Sequence, residues 1–358
     1  MAERGFHTFA EITSQPGIWA YTVAEFQTLA PRLGHFLPDL QPPQAIFTGC
    51  GSTYYLSLTA AALFQALNGV TAQARPASEL VIFPKLVFAS GAPVLLVAIS
   101  RSGETTETLD AVEVFRRHVG GQVLAITCDG DSSLAREADF NLTASHAREE
   151  SVAQTRSFSS MALLAEALAA HLAGRDVVAA LGPLPTTCQR LLDEYGDLAR
   201  MLGEAADINR FFFLGSGYLY GMASEAMLKM KEMSLSYSEA FHTLEFRHGP
   251  MSMVDEHTLI VGLLAESALR HETAVLRQMH QAGAQVLAIS ESGSGLDGPD
   301  RVHEVVLRSG VPVWARTVLY LPVLHLLAFH RALANGQDPD RPAHLDAVVM
   351  LDSLLESP

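Results

Sequence analysis

The chain has 358 residues, of which 49% are apolar and 18% charged, and a formal net charge of −15. That length exceeds one comfortable core and suits two well-packed domains of about 150 residues each, and the composition is globular rather than disordered. The negative charge argues against a nucleic-acid or membrane-surface binder, since neither polyanion would be attracted, but a small phosphate can still be held by neutral donors.

The N-terminus, from Met1 to Gly5, carries no apolar stretch of a signal peptide. The apolar runs, such as Val94–Ile99, are too short to span a bilayer and read as buried strands, so a cytoplasmic protein is expected. Cys50, Cys128 and Cys188 form an odd set without C-x-x-C spacing. They suit a reducing compartment and suggest neither a disulfide framework nor a metal site. No cofactor is called for.

In chain order, Ala45–Thr48 reads as a short strand and Thr53–Asn68 as a helix. Pro93–Ser100 reads as a second strand. A helix from Glu104 follows, with Leu109, Val112, Phe115 and Val119 on one face, and Leu124–Thr127 is a third strand. Strand–helix alternation implies an α/β fold with a parallel sheet covered on both faces, and ligands then bind beyond the carboxyl ends of the strands. Leu181-Gly182-Pro183-Leu184-Pro185 is the expected linker, before a helix over Thr186–Ala206.

The pattern then repeats. Gln122-Val123-Leu124-Ala125-Ile126-Thr127 recurs as Gln285-Val286-Leu287-Ala288-Ile289-Ser290, 163 positions later, and Gly49-Cys50-Gly51 recurs as Gly215-Ser216-Gly217, 166 positions later. Two matches in the same order at nearly one spacing indicate a duplicated domain rather than a solenoid.

Chemistry gathers where the second strand turns into its helix. Ser100, Ser102 and Thr105 offer hydroxyls, Gly103 permits close backbone approach, and the helix N-terminus supplies free N–H groups. Together these suit a phosphate. Gly51-Ser52-Thr53 repeats the chemistry at the neighbouring strand end. The plainer account makes Ser102 an ordinary helix N-cap. Two hydroxyl-rich strand ends in one domain favour a ligand. So does the duplicate, where Leu264-Ala265-Glu266 replaces Ser100-Arg101-Ser102, and one phosphate site per chain is expected.

Ser100-Arg101-Ser102-Gly103-Glu104-Thr105 resembles the S-x-S-G-E-T motif of sugar-isomerase (SIS) domains. The chain is similar to the isomerase half of glucosamine-6-phosphate synthase and its stand-alone relatives, from Glu11-Ile12-Thr13-Ser14-Gln15-Pro16 to Asp338-Pro339-Asp340-Arg341-Pro342. The resemblance implies two tandem SIS domains, each a parallel sheet flanked by helices in a flavodoxin-like three-layer sandwich. The expected organisation is a helical lead-in over 1–30, SIS domain 1 over 31–180, a linker and helix over 181–206, SIS domain 2 over 207–335 and a tail over 336–358. It also implies that Cys50, Gly51, Ser52, Thr53, Ser100, Arg101, Ser102 and Thr105 contact the sugar phosphate. Val152-Ala153-Gln154-Thr155-Arg156-Ser157-Phe158 matches a V-A-S-T-K-A-F segment that places Val152 and Gln154 at the sugar. Gln154 departs from the small hydroxyl residue of that pattern.

Glu225, Lys229 and Glu232 are spaced to share one helical face, which on spacing alone describes any solvated Glu–Lys pair. The chain has three lysines, Lys85, Lys229 and Lys231, so two on one helix are poor surface filler. Glu225-Ala226-Met227-Leu228-Lys229-Met230-Lys231-Glu232 resembles the family's E-G-A-L-K-L-K-E. The resemblance implies that Glu232 carries a proton between C1 and C2, that Lys229 stabilises the enediol oxyanion, and that Glu225 lies at the substrate. Glu245-Phe246-Arg247-His248-Gly249-Pro250 resembles E-L-K-H-G-P, which makes His248 the group that opens the sugar ring, at the site of a neighbouring subunit. A homodimer with shared sites is expected.

Residue 2 is alanine rather than the cysteine nucleophile of the synthase's glutaminase, and Ala347 falls where the family's tail lysine belongs. Glutamine is therefore not expected as ammonia donor, and His344 is the nearest alternative acid/base group in the tail. These absences favour a deaminase that converts a hexosamine 6-phosphate to a ketose 6-phosphate and ammonia. A plain ketol isomerase and a sugar-amine deglycase stand next, and a non-catalytic sugar-phosphate sensor is the alternative of another class.

Overall fold

The computed structural model describes residues 4–36, 44–88, 93–298, 300–346, 348, 351 and 354–356. Ala347, aligned with the family's tail lysine, lies outside them. The chain forms two compact units: Gly17–Glu149 with Arg156–Gly182 and Asp346–Pro358, and Met1–Pro16 with Glu150–Thr155 and Pro183–Leu345. Three short segments, Met1–Pro16, Glu150–Thr155 and Asp346–Pro358, thus belong to the unit that a contiguous division at Gly182 would not give them to. The expected linker narrows to Gly182 and Pro183. The following helix starts at Leu184 rather than Thr186, because Pro185 fits its first turn.

In the unit built on Gly17–Glu149, five parallel strands run β1 (Gln44–Gly49), β2 (Thr71–Pro76), β3 (Val94–Ser100), β4 (Gln122–Thr127) and β5 (Phe140–Thr143). Their order across the sheet is β2-β1-β3-β4-β5. Every residue of β3 is buried, as a central strand covered on both faces requires. The Thr106–His118 helix sends Val112 and Phe115 into a core with Ile46, Leu96, Ala98 and Val123. It begins two residues later than the sequence suggests. β2 and β5 escaped the sequence reading because they are edge strands whose mixed residues, TAQARP and FNLT, stay half-exposed.

In the other unit the strands are β6 (Arg210–Gly215), β7 (Tyr237–Phe241), β8 (Thr258–Leu263), β9 (Gln285–Ser290) and β10 (Val302–Val306). They are ordered β10-β9-β8-β6-β7, the same permutation as the first sheet. Both sheets thus have the flavodoxin-like order 2-1-3-4-5, in which the ends of the first and third strands flank the topological switch point. Gln44 pairs with Val94 and Arg210 with Thr258, so matching the registers lays Leu264 on Ser100 and Glu266 on Ser102.

The Leu321–Ala334 helix packs between the Leu184–Glu204 and Leu219–Ser234 helices. The stretch Thr317–Ala334, with a mean hydropathy of 1.4, is long and apolar enough to cross a bilayer, yet 83% of it is buried inside the fold. The sequence reading passed over it. It is a core helix.

Candidate functional site

The hydroxyl turn after β3 is held by its own hydrogen bonds. Ser100 Oγ accepts the Gly103 N–H at 3.1 Å and lies 3.2 Å from Thr105 Oγ1. Ser102 Oγ accepts the Glu104 N–H at 3.2 Å. The N-cap of the following helix is Thr105, not Ser102, so the plainer account of Ser102 fails. Gly103 has φ +68, and a Cβ there would stand 2.0 Å from Ser132 Oγ, so only glycine fits. The turn is braced from outside by Leu134 N–H on Gly103 O and by Ser133 N–H on Glu104 Oε1, at 3.0 and 2.7 Å.

Arg101 lies against Glu149, whose side chain is fully buried, with Nη1 3.5 Å from Oε2. Glu149 also accepts the N–H and the hydroxyl of Ser157, at the start of the Arg156–Leu172 helix. The guanidinium therefore carries its own counterion, and the turn presents mainly neutral donors. Sequence reasoning missed Glu149, because its partners are spread over more than fifty positions and no local pattern links them.

At the end of β1, Gly51 has φ 54 and precedes the Ser52–Asn68 helix. Ser52 and Thr53 are both buried. Thr53 Oγ1 accepts the Cys50 N–H and donates to Cys50 O, at 3.0 and 2.9 Å, so this hydroxyl braces the loop. Burial pushes the Cys50 thiol up to about 11, which keeps it protonated and unreactive at neutral pH. The helices after β1 and β3 both begin without a side-chain cap, whereas Ser132 and Asp176 cap the helices that follow them.

In the unit of the second sheet, the helix Leu219–Ser234 carries a buried charge cluster. Lys229 and Glu225 are 1% and 0% exposed at their side chains, with Nζ 3.4 Å from Oε1. Lys229 also bonds Glu232, which is one-fifth exposed. A solvated surface pair is excluded by this burial. His325, from Leu321–Ala334, is fully buried, and neither ring nitrogen has a hydrogen-bond partner among the described residues. Burial first, and the charge of Lys229 second, lower its pKa to about 3, so it is a neutral imidazole. Sequence reasoning missed it too, for lack of a motif.

His248 follows the single turn Glu245–Arg247 and is exposed, its ring making no hydrogen bond or ion pair with another described residue. Phe246 plugs the loop into the core against Phe212 and Phe241, and Arg247 holds Gln278 at 3.0 Å. Leu244 and Met253 are exposed beside it. His344 is also exposed, with φ 62.

The loop with Val152 and Gln154 belongs to this same unit. Glu11 accepts the Glu150 and Ser151 N–H groups at 2.6 and 3.3 Å. Asp340 receives the His7 and Thr8 N–H groups through its carboxylate and the Val152 N–H through its carbonyl. The two terminal motifs are thus clamps on this loop. Val152 and Gln154 are half-buried, and Gln154 Oε1 is buried without a hydrogen-bond partner among the described residues.

A cleft of about 450 Å³ along β5, lined by residues including Glu25, Arg32, Asp139 and Asn141, contains none of the residues singled out from sequence. Among the described residues, no three His, Cys, Asp or Glu side chains are grouped to hold a metal ion.

Comparison with known proteins places the SIS domain at residues 40–171 and 205–298. The chain is 30% identical to a glutamine–fructose-6-phosphate aminotransferase (isomerizing) from Zymomonas mobilis, over 96% of this chain and 58% of that protein. It thus spans less than two thirds of the length of the curated relatives it matches. Its fold is similar to tagatose-6-phosphate ketose/aldose isomerase from Escherichia coli, with a TM-score of 0.85, 26% identity, and 94% and 95% of the two chains covered. It is also similar to glucosamine-6-phosphate deaminase from Thermotoga maritima, with a TM-score of 0.75, 29% identity, and 96% and 100% covered.

Proposed function

The chain belongs to the SIS-domain family, as a tandem pair of such domains, and on that premise we propose that it converts a hexosamine 6-phosphate to a ketose 6-phosphate and ammonia. The observation that carries this reading is the buried Lys229 between Glu225 and Glu232. A dry ammonium beside a partly exposed carboxylate suits proton transfer with an oxyanion to stabilise. Ser52, Ser100, Ser102 and Thr105 hold the phosphate. Thr53, Gly51, Gly103 and Arg101 shape the loops around it. Cys50 contributes a neutral thiol at the β1 end.

In the reaction, His248 protonates the ring oxygen and frees the C1 aldehyde. Glu232 takes the proton from C2 and returns it to C1, with Lys229 facing the oxygen that gathers charge between. The amine is left as an imine at C2, water adds there, and ammonia departs. Val152 and Gln154 line the sugar, and the unpartnered Gln154 amide oxygen supports an amino-bearing substrate, because an ammonium or amine N–H would satisfy it. The exposed His248 with Leu244 and Met253 supports a homodimer in which that loop serves a neighbouring chain. We place the protein in the cytoplasm.

Plain ketol isomerisation is favoured instead by the likeness to the E. coli isomerase over 94% of this chain. Incubation with a panel of hexosamine 6-phosphates and hexose 6-phosphates, with ammonia and ketose followed together, separates the two. Equal yields of ammonia and ketose support deamination. Ketose from the neutral sugars without ammonia from any amino sugar supports isomerisation, and turnover of no sugar phosphate leaves a sensor.

A further inference from the structure

The second copy keeps converging donors at its strand ends, but a side chain already meets them. Glu272, in the first turn of the Leu269–Gln281 helix, is 1% exposed. One carboxylate oxygen accepts the Ala265 N–H, just past β8, at 2.7 Å. The other lies 3.4 Å from the hydroxyl of Thr243, just past β7. Ser216, at the end of β6, donates to Thr243 Oγ1 at 3.2 Å and so backs the hydroxyl that faces the carboxylate. The loops past β8 and β7 therefore aim donors at one anion, with Ser216 past β6, the strand between them, backing the Thr243 hydroxyl, and strand-end loops are where a sheet of this topology meets a ligand.

The strand registers make Ser216, Ala265 and Glu272 the counterparts of Cys50, Arg101 and Thr108. In the first copy the Thr108 hydroxyl lies 3.7 Å from Cys50 Sγ, and no charge is stored at that place. In the second copy burial raises the Glu272 carboxyl above its ordinary value, against the pull of its donors. An apolar residue would avoid that desolvation but would strand the donors.

We propose that Glu272 is a built-in carboxylate ligand occupying the anion site of the second copy, so that its removal opens a latent site for a small carboxylate. All the residues involved lie in one unit, and the inference stands whether or not the chain is a deaminase.

The test is thermal denaturation of wild type, Glu272→Ala and Glu272→Gln in acetate, with chloride at matched ionic strength as reference. At acetate about ten times above its Kd, the melting temperature of Glu272→Ala should rise by about 3–6 °C more than that of wild type. Glu272→Gln fills the space and should respond as wild type does. Should Glu272→Ala fail to fold in chloride, recovery of folded protein in acetate is the expected result. The proposal is overturned if acetate neither raises the melting temperature of Glu272→Ala beyond wild type nor recovers its fold. It is equally overturned if Glu272→Gln gains the same response, since loss of charge rather than an opened cavity would then be the cause.

Discussion

Replacing Lys229 by methionine keeps most of the side-chain volume and removes the ammonium. Glu225, fully buried 3.4 Å away, then loses its cation in a dry interior. Breaking a buried pair from one side costs about 3–5 kcal/mol, whereas losing a solvated helix pair costs ~0.3–0.5 kcal/mol. Each kcal/mol moves the melting temperature of a unit this size by about 2–4 °C, so Lys229→Met should melt roughly 6–20 °C lower. Adding Glu225→Gln removes the stranded charge and should restore more than half of that loss. Calorimetry on the two single variants and the double variant at pH 7 decides the matter. A melting temperature for Lys229→Met within about 2 °C of wild type would refute the buried cluster. So would a double variant no more stable than Lys229→Met alone.

Ser102→Ala should weaken hexose 6-phosphate binding about ten- to a hundredfold in isothermal titration, the effect of one hydroxyl lost from a charged oxygen. Glu266→Ala should leave affinity within about a factor of two although it strips a partner from the buried Arg316, and a reversed order of effects would mislocate the phosphate site. Co-expressed Glu232→Gln and His248→Ala chains should regain part of the activity that each lacks alone, while dead mixed dimers would rule out sharing between subunits. His325 has its folded pKa lowered to about 3, below the unfolded value, so its contribution is present above the unfolded pKa and lost as pH falls. His325→Phe should therefore lose stability less steeply than wild type in urea melts between about pH 6.5 and 3, by up to ~1.4 kcal/mol per pH unit. Parallel slopes would mean that the imidazole takes up a proton in place.

The fold was legible wherever burial is two-sided. β3 is a run of seven buried residues and β4 an apolar run whose twin in β9 betrays the duplication. The edge strands β2 and β5 carry no such signal, since half their side chains face solvent. Of the candidate site, the turn from Ser100 to Thr105 and the face of Glu225, Lys229 and Glu232 were readable because each lies within one turn or one helix. Burial of Lys229 was not readable, because it depends on the Leu321–Ala334 helix nearly a hundred residues on. Glu149, Glu272 and His325 were unreadable for the same reason. Nor was the partner of Glu266 readable, since it is ion-paired to Arg316, fifty residues away in sequence.

The account turns on proton transfer by Glu232, and Glu232→Gln tests it with least change of shape. Steady-state turnover of a hexosamine 6-phosphate, with binding of the same sugar measured alongside, should show near-wild-type affinity and a kcat lowered about 10²–10⁴-fold, the usual effect of losing a general base. A folded Glu232→Gln enzyme that keeps more than about a tenth of the wild-type rate would contradict the account.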